Sequence, residues 1–385
     1  MAHPLRGAVA VVGVGLTPFG ELPGRTHLEI MGEAIHNALA DAGISKNQVD
    51  GMFGSNFNDM LGGLLYPEYF GLKNIKVIDN TNVGGSSFNN AMQEAAASLH
   101  LGLCDVALIA YGSNARTNTA RRGGGPGFGR SFDAPYRPRQ PMNSYALAAA
   151  RHMHQYGTTK EHLAHVAVSA RQWAQKNPRA FMRGPLTVEE VVNSRLVVDP
   201  FGVRDCCLVT DGGAAIVVVR ADRAKDFPNK PVYLLGAGSA TTHNDISQMP
   251  DLTVTAVAQA APRAYAMAGI TPKDVDVIEV YDAFTINTIL FLEDFGFCKK
   301  GEGGPFVAAG NIAPGGAHPL NTNGGGLSCV HPGMYGMFIM AEAVEQLRGT
   351  AGERQVKDAE IALCNGNGGY LSSQVTLVFG TEATL

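Results

Sequence analysis

The sequence predicts an α/β protein built from two similar halves, and three observations carry that prediction. Apolar runs of strand length alternate with longer stretches of helical periodicity. The segment Ala42–Asp50 reappears in pattern as Ala268–Asp276, both times after a helix and before an apolar run. Of 385 residues 47 are glycine, with 45% apolar and 17% charged, which describes a densely packed chain and excludes disorder.

Taken in order, Ala8–Val14 reads as a strand and His27–Ala42 as a helix. A strand near Ile75–Ile78, a helix near Phe88–Leu101 and a strand at Val106–Tyr111 follow. Around the repeated segment, Val232–Leu235 answers the first strand, Tyr335–Leu347 answers the helix at Phe88–Leu101, and Glu360–Cys364 answers Asp105–Ile109. Two halves result, 1–225 and 228–385. Extra material between Gly112 and Asp205 opens with the stretch Arg121 to Gly127, rich in Arg, Gly and Pro. It continues through helical patterns at Asn143–Gln155 and Lys160–Lys176 and the helix-start signal Thr187-Val188-Glu189-Glu190. This predicts a loop domain, about 113–205, inserted in the first half. A second insertion spans Gly296–Pro314, and long loops in compact domains are usually functional or disordered.

A formal charge of −4 without blocks of like charge suggests neither nucleic-acid nor membrane-surface binding. The six cysteines, Cys104, Cys206, Cys207, Cys298, Cys329 and Cys364, contain no Cys-x-x-Cys pair and read as reduced thiols. The first apolar run is too short to span a bilayer and lacks a processing site, so a cytoplasmic location is expected.

Gly13-Val14-Gly15 follows a strand, but Pro18 stands where a dinucleotide-binding fingerprint needs its third glycine. Gly123–Gly129 is not followed by Lys-Ser or Lys-Thr, so no phosphate loop of that type is present. His152, His154, His162 and His165 lack a Cys or carboxylate to complete a metal set, and a surface or structural role is expected. No metal is expected. The informative places are three glycine-flanked loops expected at strand ends: Asn80–Ser87, Asn321–Gly333 and Leu363–Gly369. The first opens a helix and points backbone N–H groups outward. Pro332 in the second suits the first turn of the next helix. Together they bring a His, a Cys and free backbone donors to strand ends, where ligands of open α/β sheets bind.

Over nearly its whole length the chain resembles the thiolase superfamily, and in particular the sterol-carrier type. Val330-His331-Pro332 matches that family's Gly-His-Pro loop, Cys364–Gly368 its Cys-x-Gly-x-Gly loop, and Tyr281-Asp282-Ala283-Phe284 its Asn-Glu-Ala-Phe or His-Asp-Cys-Phe segment. Cys206–Ala215 is similar to the sterol-carrier type's Cys-Cys-Pro-Thr-Ser-Asp-Gly-Ala-Ala-Ala. The resemblance implies the thiolase fold: two duplicated βαβαβαββ halves in a five-layer αβαβα arrangement with an inserted loop domain. It also implies at least a homodimer.

Two departures redirect the chemistry. Gly85 stands where a thiolase carries its nucleophilic cysteine, and Tyr281 where it carries Asn or His. Both are features of the thiolase-like aldolases that remove the last side-chain piece in bacterial steroid breakdown. Those enzymes resemble this chain also in Tyr281–Thr285, Asp205–Cys207 and Gly296–Glu302, although His331 stands where they carry a second tyrosine. The resemblance implies a small partner subunit with an OB-fold and a zinc ribbon, giving a heterotetramer. Coenzyme A enters as part of the substrate, with no tightly bound cofactor and no assignable cofactor-binding residues.

Retro-aldol cleavage of a 3-hydroxyacyl-CoA releases a ketone or aldehyde without a covalent intermediate, so the nucleophile is dispensable. A base for the 3-hydroxyl, donors for the enolate and an acid for the enolate carbon are still required. Under this resemblance Tyr281 is expected as acid/base, His331 as donor to the thioester oxygen and Cys364 as the α-carbon proton shuttle. The N–H groups of Gly85 and Gly366 are expected to line the position left by the thiol, and Ser86 and Asp282 are further candidates. Two other readings stay open: an acyltransferase or Claisen-type thiolase acylated on Ser86 or Cys364, and a non-catalytic acyl-CoA or lipid-binding relative.

Overall fold

The computed structural model describes residues 3–57, 59–118 and 133–385; the Arg121 to Gly127 stretch of the expected loop domain lies outside the described residues. The first half runs through β1 (Val9–Leu16), α1 (His27–Ala42), β2 (Gly51–Gly54), α2 (Gly62–Phe70), β3 (Val77–Asp79), α3 (Ser87–His100) and β4 (Val106–Ser113). Then come α4 (Met142–Tyr156), α5 (Lys160–Gln175), α6 (Val188–Val192), the small pair β5 (Leu196–Val198) and β6 (Phe201–Gly202), and β7 (Gly212–Arg220). The second half holds β8 (Val232–Thr241), α7 (Val257–Ala268), β9 (Val277–Val280), α8 (Thr285–Phe295), α9 (Gly303–Ala308), α10 (Gly336–Arg348), β10 (Ile361–Gly368) and β11 (Ser373–Gly380).

Nine strands form one sheet in the order β3-β2-β4-β7-β1-β8-β11-β10-β9. In the first half β2 lies parallel between β3 and β4, and β7 antiparallel between β4 and β1. In the second, β9 and β10 are parallel and β11 is antiparallel between β10 and β8. The two sets meet through β1 and β8, which pair only at Ala10–Tyr233 and Val11–Val232. Helices α3 and α10 touch each other and strands of both sets, while α1 packs on β1, β4 and β7, and α7 on β8 and β11. These contacts put α3 and α10 between the two strand sets with α1 and α7 outside them, the layering that the thiolase resemblance implies. Among the described residues the second half keeps only four strands, with an isolated Ile278–Leu320 bridge where the third strand of the βαβαβαββ pattern is expected.

Close helix-on-sheet approach accounts for the glycines of the first strand. A Cβ on Gly13 would lie 2.4 Å from Ala38 O, and one on Gly15 would lie 2.2 Å from Ala34 O, both on α1. Gly236 and Gly238 of β8 meet α7 in the same way, with Ala264 O at 2.3 Å and Ala260 O at 2.2 Å. The Gly13-x-Gly15 pattern thus serves packing. Helix α1 starts at a capping box in which Thr26 accepts from Glu29 N, and it stops at Gly43, whose φ of 68° opens the repeated segment. Gly269, with φ 71°, does the same after α7.

Three further details differ from the sequence reading. The expected loop Leu363–Gly369 is mostly strand, because β10 runs to Gly368 and pairs with β11 throughout, Asn367 with Gln374 and Gly368 with Ser373. Pro332 precedes α10 by a further turn of chain, since that helix starts at Gly336. Strand β2 and helix α2 are additional, the latter opening on Gly62-Gly63 and containing Pro67, which hide its periodicity.

Candidate active site

Tyr281 leaves the end of β9 with its backbone held on both sides, its N–H donating to Asn365 O (3.1 Å) and its carbonyl accepting from Asn287 Nδ2 (3.2 Å). Its ring is buried between three neighbours. His331 meets it edge-on with ring centroids 5.4 Å apart, and Tyr335 does so at 5.7 Å. The third neighbour is Gly85, where a Cβ would lie 2.2 Å from Tyr281 Cε2 and 2.5 Å from Asn367 O. The aromatic ring therefore fills the place above Gly85 that a side chain at that position would need.

The Tyr281 hydroxyl donates to Gly333 O (3.2 Å) and lies 3.0 Å from His331 Nε2. Burial drives the phenol well above its ordinary range, with Cys207, Tyr145 and Tyr111 adding to the effect. His331 is held down to about 4, chiefly by burial. The pair thus rests as phenol and neutral imidazole at neutral pH.

His331 is carried by a five-residue turn, Gly325–Cys329, and is fixed by Thr210, whose Oγ1 accepts from His331 N (3.0 Å) and whose N–H donates to His331 O (3.2 Å). The same strap of chain bonds the other components, with Cys207 N donating to Ala283 O (2.8 Å) and Leu208 N to Gly326 O (2.9 Å). Asp282, next to Tyr281, accepts from Gly326 N (2.6 Å) and Leu327 N (3.3 Å).

The structure brings Tyr281, His331, Gly85 and Asp282 together and leaves Cys364 apart. Cys364 is fully buried beneath α10, where its thiol donates to Ile339 O (3.5 Å). Burial and Glu279 push that thiol far above its usual range. Gly366 faces α3, where a Cβ would lie 2.3 Å from Asn89 Oδ1 and 2.9 Å from Ser86 Cα. Ser86 is buried and spends its hydroxyl on Val83 O (3.3 Å) and Ser373 Oγ (3.1 Å), neither of them a base.

Two further contributors were not among the expected site residues. Tyr145 of α4 donates to Gly369 O (3.0 Å), accepts from Asn367 Nδ2 (2.7 Å) and stacks on Phe284 at 4.6 Å, so it ties α4 to the end of β10 and to the segment after Tyr281. Cys207 is the thiol on the Tyr281 side. No local motif signals Tyr145, which reaches the site through tertiary packing, whereas Cys207 lies in the Asp205–Cys207 motif without a role that the motif assigns.

Residues beside Tyr145 open on a cavity of about 990 Å³. Its walls include Leu147, Leu196 and Met249, with Arg137, Arg139 and Arg195 among the lining groups. His152 is buried and bonds Glu293 (3.0 Å) and Thr158 (2.8 Å), a structural tie between α4 and α8. Among the described residues no cluster of three or more His, Cys, Asp or Glu side chains is placed to hold a metal, and no helix is long and apolar enough to cross a membrane.

Residues 238–381 match the family described as thiolase C-terminal domain-like. An acetyl-CoA acetyltransferase of Methanothermobacter thermautotrophicus is 36% identical over 96% of this chain and 99% of its own. The 17-hydroxy-3-oxo-4-pregnene-20-carboxyl-CoA lyase of Mycobacterium tuberculosis is 34% identical over 90% of this chain and 93% of its own. Among solved structures, an Ltp2-ChsH2(DUF35) aldolase superposes with a TM-score of 0.89 at 32% identity, covering 98% of this chain and 99% of that one.

Proposed function

The chain belongs to the thiolase superfamily, and from that premise we propose that it is a carbon–carbon lyase cleaving a 3-hydroxyacyl-CoA by a retro-aldol reaction. Relatives named as a lyase and as an acetyltransferase are about equally similar to it, so overall identity does not choose between the chemistries. The observation that carries the choice is the Tyr281 ring over Gly85, which leaves no space for a nucleophilic side chain. Ser86 is bonded to non-basic partners and Cys364 lies in the core, so neither supports an acyl-enzyme.

In this reading the Tyr281 hydroxyl turns its proton from Gly333 O to His331 Nε2, 3.0 Å away, and passes it there as the phenol oxygen accepts the proton of the 3-hydroxyl. The carbon–carbon bond breaks, its electron pair moves into the thioester as an enolate, and the 3-carbon becomes the carbonyl of a ketone or aldehyde. The proton then returns through Tyr281 to the α-carbon. The proton lost by the hydroxyl is the one the enolate carbon needs, so one relay balances the reaction without Cys364. The neutral imidazole has a lone pair to take the proton, but with its basicity held down to about 4 it is a weak base, so the transfer is concerted with cleavage of the carbon–carbon bond. First-turn N–H groups around Gly85 supply donors for the enolate oxygen.

The cavity beside α4 suits a CoA ester, with apolar walls for the acyl and pantetheine parts and three guanidiniums for phosphates. A homodimer forms through the outer edge of β3, where exposed Met60, Leu61, Leu64, Tyr69 and Ile78 surround an unpaired strand edge. The small OB-fold and zinc-ribbon partner completes a cytoplasmic heterotetramer; a structural neighbour named with a DUF35 component supports the presence of a partner.

The test is incubation with a panel of 3-hydroxyacyl-CoA esters, steroidal, aromatic and aliphatic, with and without the small partner. A ketone or aldehyde plus a shorter acyl-CoA, with the protein mass unchanged, is the expected result. An acyl adduct on the protein would establish the acyltransferase reading instead.

A further inference from the structure

We propose that Asp282 is a positioning residue that sets the Tyr281–His331 hydrogen bond through the turn Gly325–Cys329; the proposal rests on the lyase reading for its catalytic consequence. The carboxylate directly follows Tyr281 and is 1% exposed. Each oxygen receives a backbone N–H from the turn that carries His331, Gly326 at 2.6 Å and Leu327 at 3.3 Å. The turn is moulded onto the carboxylate. A Cβ on Gly325 would lie 2.1 Å from Asp282 Oδ2, and one on Gly326 would lie 3.0 Å from Oδ1 and 3.2 Å from His331 Cδ2. The imidazole therefore rests on a glycine whose amide is held by the residue next to Tyr281, and displacement of the carboxylate moves the ring relative to the phenol.

Among the described residues no cation pairs with Asp282, so its negative charge is compensated by peptide N–H groups and the Asn321 amide. Burial outweighs those N–H groups and pushes its carboxyl up to about 7. Protonation removes acceptor capacity from an oxygen that faces an N–H, which loosens the turn as pH falls through that value. The titratable groups facing it are Cys207, Cys329, Tyr335, Glu279 and His331. The two thiols and Tyr335 are driven up by burial and stay neutral, and His331 titrates near 4. Glu279, also driven up by burial and by Glu342, is the other buried carboxyl facing it.

The experiment compares pH profiles of kcat and KM for the parent, Asp282→Asn and Glu279→Gln in the complete complex. Asp282→Asn keeps an oxygen for Gly326 N but puts an NH2 group against Leu327 N. We expect kcat to fall about 100-fold, the cost of a misplacement of order 1 Å, with KM near the parent's. The parent's acid limb near pH 7 should vanish in Asp282→Asn and persist in Glu279→Gln. Survival of the limb in Asp282→Asn, or its loss in Glu279→Gln, overturns the assignment.

Should Asp282→Asn not fold, the parent carries the test. The His331 ring resonance in 13C-histidine-labelled protein, identified by its absence in His331→Gln, should inflect near pH 7 although the ring itself stays neutral to about 4. Absence of that inflection overturns the proposal. This measurement needs no turnover, so a parent that cleaves no substrate counts against the lyase reading alone.

Discussion

Gly85 and Tyr281 occupy one space: a Cβ on the glycine would sit 2.2 Å from Cε2 and 2.6 Å from Cζ of the tyrosine ring. The ring cannot swing aside freely, because His331 and Tyr335 meet it edge-on and Asn367 O closes the remaining side. Gly85→Cys should therefore lose activity without gaining acyl transfer, and should lose about 1–3 kcal/mol of stability to overpacking. Thermal melts and intact mass after acyl-CoA exposure check both halves. A stable Gly85→Cys protein that becomes acylated would show that the ring yields.

Tyr281→Phe removes only the hydroxyl and leaves the packing of the ring, so the fold should persist while cleavage falls about 100- to 1000-fold. His331→Ala should fall comparably, since it removes the acceptor 3.0 Å from the same oxygen. As the two act in one relay, the double variant should be little worse than either single variant. Steady-state rates of the three proteins decide this; additive losses would separate the two roles.

Local chemistry made much of the fold legible. The apolar run Ala8–Val14 and the Thr26 cap with Gly43 at the far end announce a strand and a helix from neighbours in sequence alone. Asn365–Gly368 was misread as a loop because its polarity belongs to a buried network, with Asn365 bonded to Gln374 and Thr376 and Asn367 to Tyr145. Tyr281 and His331 were legible through the motifs around them. Tyr145 was not, since it approaches Asn367 from 222 positions away and no local spacing encodes such a contact.

Cys364 tests how far motif likeness carries a role. It stands in the motif, but its thiol points at the Ile339 carbonyl within the central layer and not at the Tyr281–His331 pair. Cys364→Ala should cleave substrate at close to the parental rate and cost about 1 kcal/mol of stability through the small cavity left behind. A loss of activity near that of Tyr281→Phe, in a protein with an unchanged melt, would return the α-carbon shuttle to this thiol.

The depressed basicity of His331 makes a prediction about stability that is independent of turnover. The unfolded chain takes up the imidazole proton as pH falls through the ordinary 6.5, whereas the folded chain resists until about 4. Between those values the unfolded state binds more protons, so stability declines with falling pH, and above 6.5 the penalty is absent. Asp282 acts with the opposite sign throughout that window, because its folded-state affinity for the proton is raised from 3.8 to about 7. Net pH dependence of the parent therefore mixes the two, and His331→Gln separates them by deleting only the imidazole. Its thermal midpoint should drop less than the parent's between about pH 7.5 and about pH 5. Equal drops would mean that the ring is protonated at its ordinary value in the folded protein, and the relay from Tyr281 would then lack its neutral acceptor at mildly acidic pH.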